Sequence, residues 1–141
     1  MAVDNYFKLE FEAKNVNERF ARSTVAMFCT DLKPTISEVN DIKTAVSEAV
    51  TNSIVHGYEN KGGKIVLEVK IEGNEVDIMV IDNGIGIADI DMAVQPFFTT
   101  KTEEEHSGMG FTLMDSFMNS LEVKPNTPSG LIVHMKKVIK G

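Results

Sequence analysis

Between residues 64 and 82 the chain alternates apolar and polar side chains through two stretches, Lys64 to Glu72 and Glu75 to Asp82, separated only by Gly73-Asn74. Glycine and asparagine tolerate the positive φ that a two-residue turn demands, so the pair closes a tight hairpin. An antiparallel ladder with one apolar face is expected, and the rest of the chain must supply strands beside it and helices over it. Residues 5 to 12 supply one strand, with Phe7, Leu9 and Phe11 alternating against Tyr6, Lys8, Glu10 and Glu12. Leu121 to Lys124 and Leu131 to Val138 supply two more, on either side of a turn carrying Pro125, Pro128 and Gly130.

Helical spacing fills the intervals. Residues 17 to 31 set Phe20, Thr24, Met27, Phe28 and Leu32 three and four apart, and Pro34 ends the run. Thr35 and Glu38 have the spacing of a capping box, opening a second helix that Gly57 closes. After Asp82 the chain is rich in glycine and polar residues until Met109 to Met118 resumes a helical pattern. Strands and helices do not alternate strictly. The pattern therefore predicts an α+β fold, a two-layer α/β sandwich with a mixed, mostly antiparallel sheet and helices on one face.

At 141 residues, with 43% hydrophobic and 25% charged, the chain has the size and composition of one globular domain spanning 1–141, and not those of a disordered or membrane protein. Nothing at the N-terminus has the pattern of a signal peptide, and a cytoplasmic address is expected. The net charge of −7 argues against binding to nucleic acid and suits a basic protein partner, although solubility alone accounts for it as simply. Cys29, the single cysteine, lies in an apolar helical stretch and reads as core.

On the second helix Val39, Ile42, Val46, Ala49, Val50 and Ser53 form one stripe, and Glu48 and Asn52 share another face one turn apart. A carboxylate and an amide so placed can set a general base beside an oxygen ligand for Mg²⁺. Asp82-Asn83-Gly84-Ile85-Gly86-Ile87 directly follows a strand, offering an acceptor for an exocyclic amine and glycines that allow backbone to approach a ligand. Ser107-Gly108-Met109-Gly110-Phe111 opens a helix, where unpaired N–H groups suit phosphate. Each motif by itself is ordinary: exposed Glu and Asn are commonly solvated, and glycines commonly begin helices and turns.

In this order and spacing the three motifs resemble the N box and the two glycine boxes of the Bergerat ATP-binding fold, shared by gyrase, mismatch-repair ATPases and histidine kinases. The stretches Val46 to Tyr58, Phe98-Thr99-Thr100-Lys101 and Ser107 to Phe111, with Arg19-Phe20-Ala21-Arg22, further resemble the sporulation anti-sigma-F factor family over nearly the whole chain. That resemblance implies ATP and Mg²⁺ as cofactors, with Glu48 as the catalytic base and Asn52 as the metal ligand. It implies Asp82 as the adenine-reading carboxylate and Gly84 and Gly86 beneath the nucleotide. Thr99, Thr100, Lys101, Ser107, Gly108, Met109, Gly110 and Phe111 would form the phosphate-binding lid, and Arg22 would contact a partner. It implies a homodimer that inhibits a sigma factor and phosphorylates a serine of an anti-anti-sigma protein.

Two departures stand out. His106 occupies the place of a lid arginine, so that His106 or Lys101 would supply the charge on the γ-phosphate. Leu131 and Ile132 follow Gly130 where the family commonly has threonine, leaving adenine selectivity more to Asp82. A general-stress kinase of the same fold, and a nucleotide-gated sigma-binding module without kinase activity, are the alternatives. A sensor histidine kinase would need a phosphoacceptor segment for which 141 residues leave no room. His56, at the end of the second helix, fits a packing or helix-dipole role. The stretch from about Asp89 to Ser107 is expected to be a mobile lid.

Overall fold

A computed structural model describes residues 4–94 and 110–141. In chain order the elements are β1 (Asn5–Glu12), α1 (Asn15–Phe28), α2 (Ile36–Asn52), β2 (Lys64–Glu72), β3 (Glu75–Asp82), α3 (Ile90–Ala93), α4 (Gly110–Phe117), β4 (Ser120–Pro125) and β5 (Leu131–Val138). A short 3₁₀ turn, Thr30–Leu32, follows α1, and a π-type turn, Ser53–Gly57, prolongs α2.

The five strands form one sheet in the order β1-β2-β3-β5-β4, and every pairing is antiparallel. The sheet expected to be mixed is thus wholly antiparallel among the described residues. The β2–β3 hairpin closes on Gly73-Asn74 with Glu72 opposite Glu75 and Gly73 at φ 60. In register, Asp82 lies between Ile65 of β2 and Leu131 of β5.

The strand alternation decides which face is covered. Ile65, Leu67, Val69 and Ile71 of β2, Val76, Ile78 and Val80 of β3, and Leu131, Val133 and Met135 of β5 are buried, and they join the buried residues of α1, α2 and α4 in one core. On the opposite face Glu68, Lys70, Asp77, His134 and Lys136 alternate with them, together with the half-buried Val66, Met79, Ile81 and Ile132; there His134 Nε2 lies 2.7 Å from Asp77 Oδ1. Among the described residues no helix is long and apolar enough to cross a membrane.

The α1 face differs from the expected one. Ala21 and Val25 are its buried residues, whereas Phe20 and Met27 are 50% and 75% exposed. Phe28 does turn inward, meeting Phe7 edge-on with ring centroids 4.6 Å apart. Cys29 is buried, and burial pushes its thiol up to about 11, as suits a core residue.

The capping box at the start of α2 is present in both directions. Thr35 Oγ1 accepts from Glu38 N at 3.1 Å, and Glu38 Oε1 accepts from Thr35 N at 2.9 Å. Glu38 also accepts from the backbone N–H groups of Lys140 at 2.7 Å and Gly141 at 3.2 Å, tying the end of the chain to the helix. The Lys140 bond first, and the Thr35 bond next, hold its carboxyl below the ordinary value of 4.5.

A depressed folded value means that this stabilisation is fully present above pH 4.5 and is lost as pH falls through the folded value. The stability difference between the wild type and Glu38→Gln, measured by urea unfolding, should therefore be level at neutral pH and shrink on acidification below 4.5. A difference that stays constant down to pH 3, on the order of a unit below the ordinary carboxylate range, would contradict the assignment.

Candidate functional site

Asp82 ends β3 with its side chain 1% exposed, so its charge must be compensated by protein groups. Among the described residues three donors reach it. Gly84 N donates to Oδ1 at 2.9 Å, Leu131 N donates to Oδ1 at 3.2 Å, and Ser53 Oγ donates to Oδ2 at 2.7 Å. The three come from the loop after β3, the first residue of β5 and the turn after α2. One carboxylate thus joins three elements.

The turn after α2 is shaped for that contact. Tyr58 N donates to Ser53 O at 2.9 Å, an i→i+5 bond that widens the helix. Wide turns of this type are frequent at functional sites. Gly57 then comes against Asp82, where a Cβ would stand 3.1 Å from Oδ2. Tyr58 OH donates to Lys64 O and accepts from Asn83 N at 2.7 Å, holding the residue after Asp82; burial pushes the phenol pKa up.

A second staple comes from the β4–β5 turn. Asn126 Nδ2 donates to Asp82 O at 2.8 Å and to Asn83 Oδ1 at 3.1 Å, and Ser129 Oγ donates to Asn83 O at 3.2 Å.

The glycines of the Asp-x-Gly-x-Gly motif also serve the packing of the protein itself. A Cβ on Gly84 would stand 2.1 Å from Gly57 O, because Ile85 N donates to that carbonyl at 2.9 Å. Gly84 lets backbone meet backbone. Gly86 adopts φ 73, in the left-handed region glycine favours.

Glu48 and Asn52 lie on α2, both half-buried, away from the core stripe of Ile42, Ala45, Val46, Ala49 and Val50. Glu48 Oε1 would be 3.4 Å from a Cβ on Gly110, the first residue of α4, so the carboxylate stands beside a helix N-terminus. Phe111 puts its side chain into the core, leaving its backbone N–H as what it can offer a ligand. Arg22 of α1 donates to Glu18 Oε2 at 3.0 Å, and Ser47 Oγ donates to the same oxygen at 2.5 Å. Arg22 and Glu48 both line a cleft of about 240 Å³ between α1 and α2, with Lys43 and Ser47.

Thr99, Thr100, Lys101, His106, Ser107, Gly108 and Met109 lie outside the described residues. So does most of the expected lid. Its first residues form α3, where Asp89 Oδ1 accepts from Met92 N at 3.1 Å and Ala93 is buried while Asp91 and Met92 are exposed. Sequence reasoning missed Ser53 as anything but core, and also missed Gly57, Tyr58 and Asn126. The available signal for Ser53 was a hydroxyl in an otherwise aliphatic stripe.

The family model described as a histidine kinase-like ATPase domain matches residues 11–137. An anti-sigma F factor of Clostridium kluyveri is 56% identical over 135 residues, covering 96% of this chain and 95% of its own. One of Thermoanaerobacter pseudethanolicus is 55% identical over 139 residues, covering 99% and 97%. Among solved structures, the RsbU and RsbW domains of a Mycobacterium tuberculosis protein superpose with TM-score 0.67 at 17% identity, over 96% of this chain and 32% of that one, which shows the shared fold. The chain belongs to the histidine kinase-like ATPases and, within them, to the anti-sigma F factor family.

The packing around Gly84 makes a direct prediction. Gly84→Ala forces a methyl into the Gly57 carbonyl and should cost about 1–3 kcal/mol, the usual range for overpacking. Urea unfolding reads it, and a variant as stable as the wild type would mean that the loop after β3 is not held against α2.

Proposed function

We propose that the chain is an ATP-dependent protein serine kinase that doubles as an anti-sigma factor in the cytoplasm. It binds and inhibits a sporulation sigma factor and phosphorylates a serine of that factor's anti-anti-sigma antagonist. The observation that carries the reading is the carboxylate of Asp82, buried, held from three sides and flanked by a glycine where any side chain would crowd it.

The residues present fit ATP and Mg²⁺. Asp82 retains an acceptor position on Oδ2 suited to the exocyclic amine of adenine, since its three donors leave one of about four lone-pair sites. Asn52 offers an amide oxygen one helical turn from Glu48, the kind of donor Mg²⁺ takes alongside retained waters. When bound, the nucleotide supplies the phosphoryl group and the metal screens its charge.

The chain's own groups then have distinct tasks. Glu48, half-buried beside the N-terminus of α4, takes the proton of the acceptor serine hydroxyl. Backbone N–H groups from Gly110 and Phe111, with Ser107, Gly108, Met109, Thr99 and Thr100, hold phosphate oxygens. Lys101 or His106 adds a positive charge there. Arg22, which lines the same cleft as Glu48, contacts the protein partner. Val16, Phe20 and Met27 form an exposed apolar stripe on α1 that supports a homodimer. The relatives' own designation as anti-sigma F factors supports the sporulation branch over the general-stress one.

Glu48→Gln keeps the shape and removes the base, so phosphorylation of the antagonist serine should slow by about 10²–10⁴. Binding of ATP and of the sigma factor should remain. Phosphoamino-acid analysis after incubation with radiolabelled ATP, Mg²⁺ and the antagonist reads the result, and wild-type turnover would place the base elsewhere. Asn52→Ala should bind ATP equally with and without EDTA, whereas the wild type weakens when the metal is removed; a variant that still responds to EDTA retains its metal ligand.

A further inference from the structure

Ser53 sits at the end of the aliphatic stripe of α2, where a plain aliphatic residue would fill the core without a polar group to satisfy. It is 1% exposed. Its hydroxyl donates to Asp82 Oδ2 at 2.7 Å, and it is the only side-chain donor to that carboxylate among the described residues. The other two donors, both backbone, converge on Oδ1.

The lone pairs can be followed one by one. Each carboxylate oxygen accepts about two hydrogen bonds, so Gly84 N and Leu131 N fill Oδ1. The position that remains lies on Oδ2, the oxygen Ser53 holds. With its own proton committed to Asp82, the Ser53 hydroxyl turns only lone pairs toward any third group. The two side chains together present acceptors and no donor. Gly57, four residues on, brings no side chain against Oδ2, where a Cβ would stand 3.1 Å away, and the wide turn that bonds Tyr58 N to Ser53 O brings both residues against the same carboxylate.

A surface of acceptors takes a ring amine and repels a ring carbonyl. We propose that Ser53 is a specificity-determining positioning residue, whose hydroxyl fixes Oδ2 of Asp82 so that the pair admits a 6-amino purine and rejects a 6-oxo purine. This rests on the reading of Asp82 as the base-contacting group. In this chain the hydroxyl that supports the carboxylate comes from the end of α2, since β5 begins with Leu131, which offers only its backbone N–H.

The test compares ATP with ITP, which differ in the 6-amino against the 6-oxo edge, by calorimetric titration of the full chain. Ser53→Ala should weaken ATP binding by about tenfold because Oδ2 is no longer held toward the ring amine, while ITP binding changes little and the preference for ATP collapses. A purely structural serine would lower affinity for both nucleotides alike, and equal losses or an unchanged preference overturn the proposal. Asp82→Asn, titrated in parallel, separates the two levels. If it abolishes the preference while Ser53→Ala leaves it intact, Ser53 is not the determinant; if Asp82→Asn keeps the full preference, the reading of Asp82 falls and the proposal falls with it. Ser53→Cys retains the volume with only a weak S–H donor and should also lose preference. Should Ser53→Ala fail to fold, Ser53→Cys carries the same test, and an ATP preference as large as the wild type's overturns the proposal.

Discussion

Asp82 is a charged group at the end of a central strand, with no cation among its hydrogen-bond partners in the described residues and 1% of its surface in contact with solvent. An unpaired buried carboxylate is costly, and hydrogen bonds from fixed donors are what make it tolerable. Most of the local structure follows from supplying them. Leu131 must begin β5 opposite Asp82 so that its N–H points at Oδ1. The chain after β3 must turn at once so that Gly84 N reaches the same oxygen, and α2 must end in a wide turn that offers Ser53. The close approach of α2 to this loop then excludes a side chain from Gly84 and crowds one at Gly57.

The same helix that supplies Ser53 carries Glu48 and Asn52. Its buried stripe locks it onto the sheet and onto α1 and α4, and its capping box fixes where it starts. Side chains on its other face are thereby held in place by core packing that they do not themselves make. In the proposed function that fixed placement is what matters, because phosphoryl transfer depends more on positioning than on any unusual chemistry of the groups themselves. One helix, anchored at its start by Thr35 and Glu38 and at its end by Asp82, therefore holds Glu48 and Asn52 in a fixed relation to the buried carboxylate.

Features governed by neighbours along the chain are legible in the sequence itself. The hairpin at Gly73-Asn74, the Thr35–Glu38 box and the bounds of β5 all rest on turn chemistry or period-two alternation. Features governed by tertiary approach are not. Counting large apolar residues favours Phe20 and Met27 on α1, but the buried face runs through Ala21 and Val25, small enough for one helix to lie on another. The motif glycines are legible as permissive positions, yet nothing local shows that Gly84 meets the Gly57 carbonyl. Ser53 is hidden because its partner lies 29 residues further along, and a serine in an aliphatic stripe has no local sign of a buried bond. Glu48, Asn52 and Asp82 are legible as a set only through their order and spacing, since each alone has an ordinary explanation.

If the proposed function holds, Asp82, held by Ser53, Gly84 and Leu131, is the group that meets the purine ring. A crystal structure of the chain with a non-hydrolysable ATP analogue and Mg²⁺ decides the point. The exocyclic amine is expected within hydrogen-bond distance of Asp82 Oδ2, with the three donors to the carboxylate retained and the phosphates lying toward Glu48 and the N-terminus of α4. A purine bound away from Asp82, or an Asp82 carboxylate still sealed from the ligand by its protein partners, would contradict it.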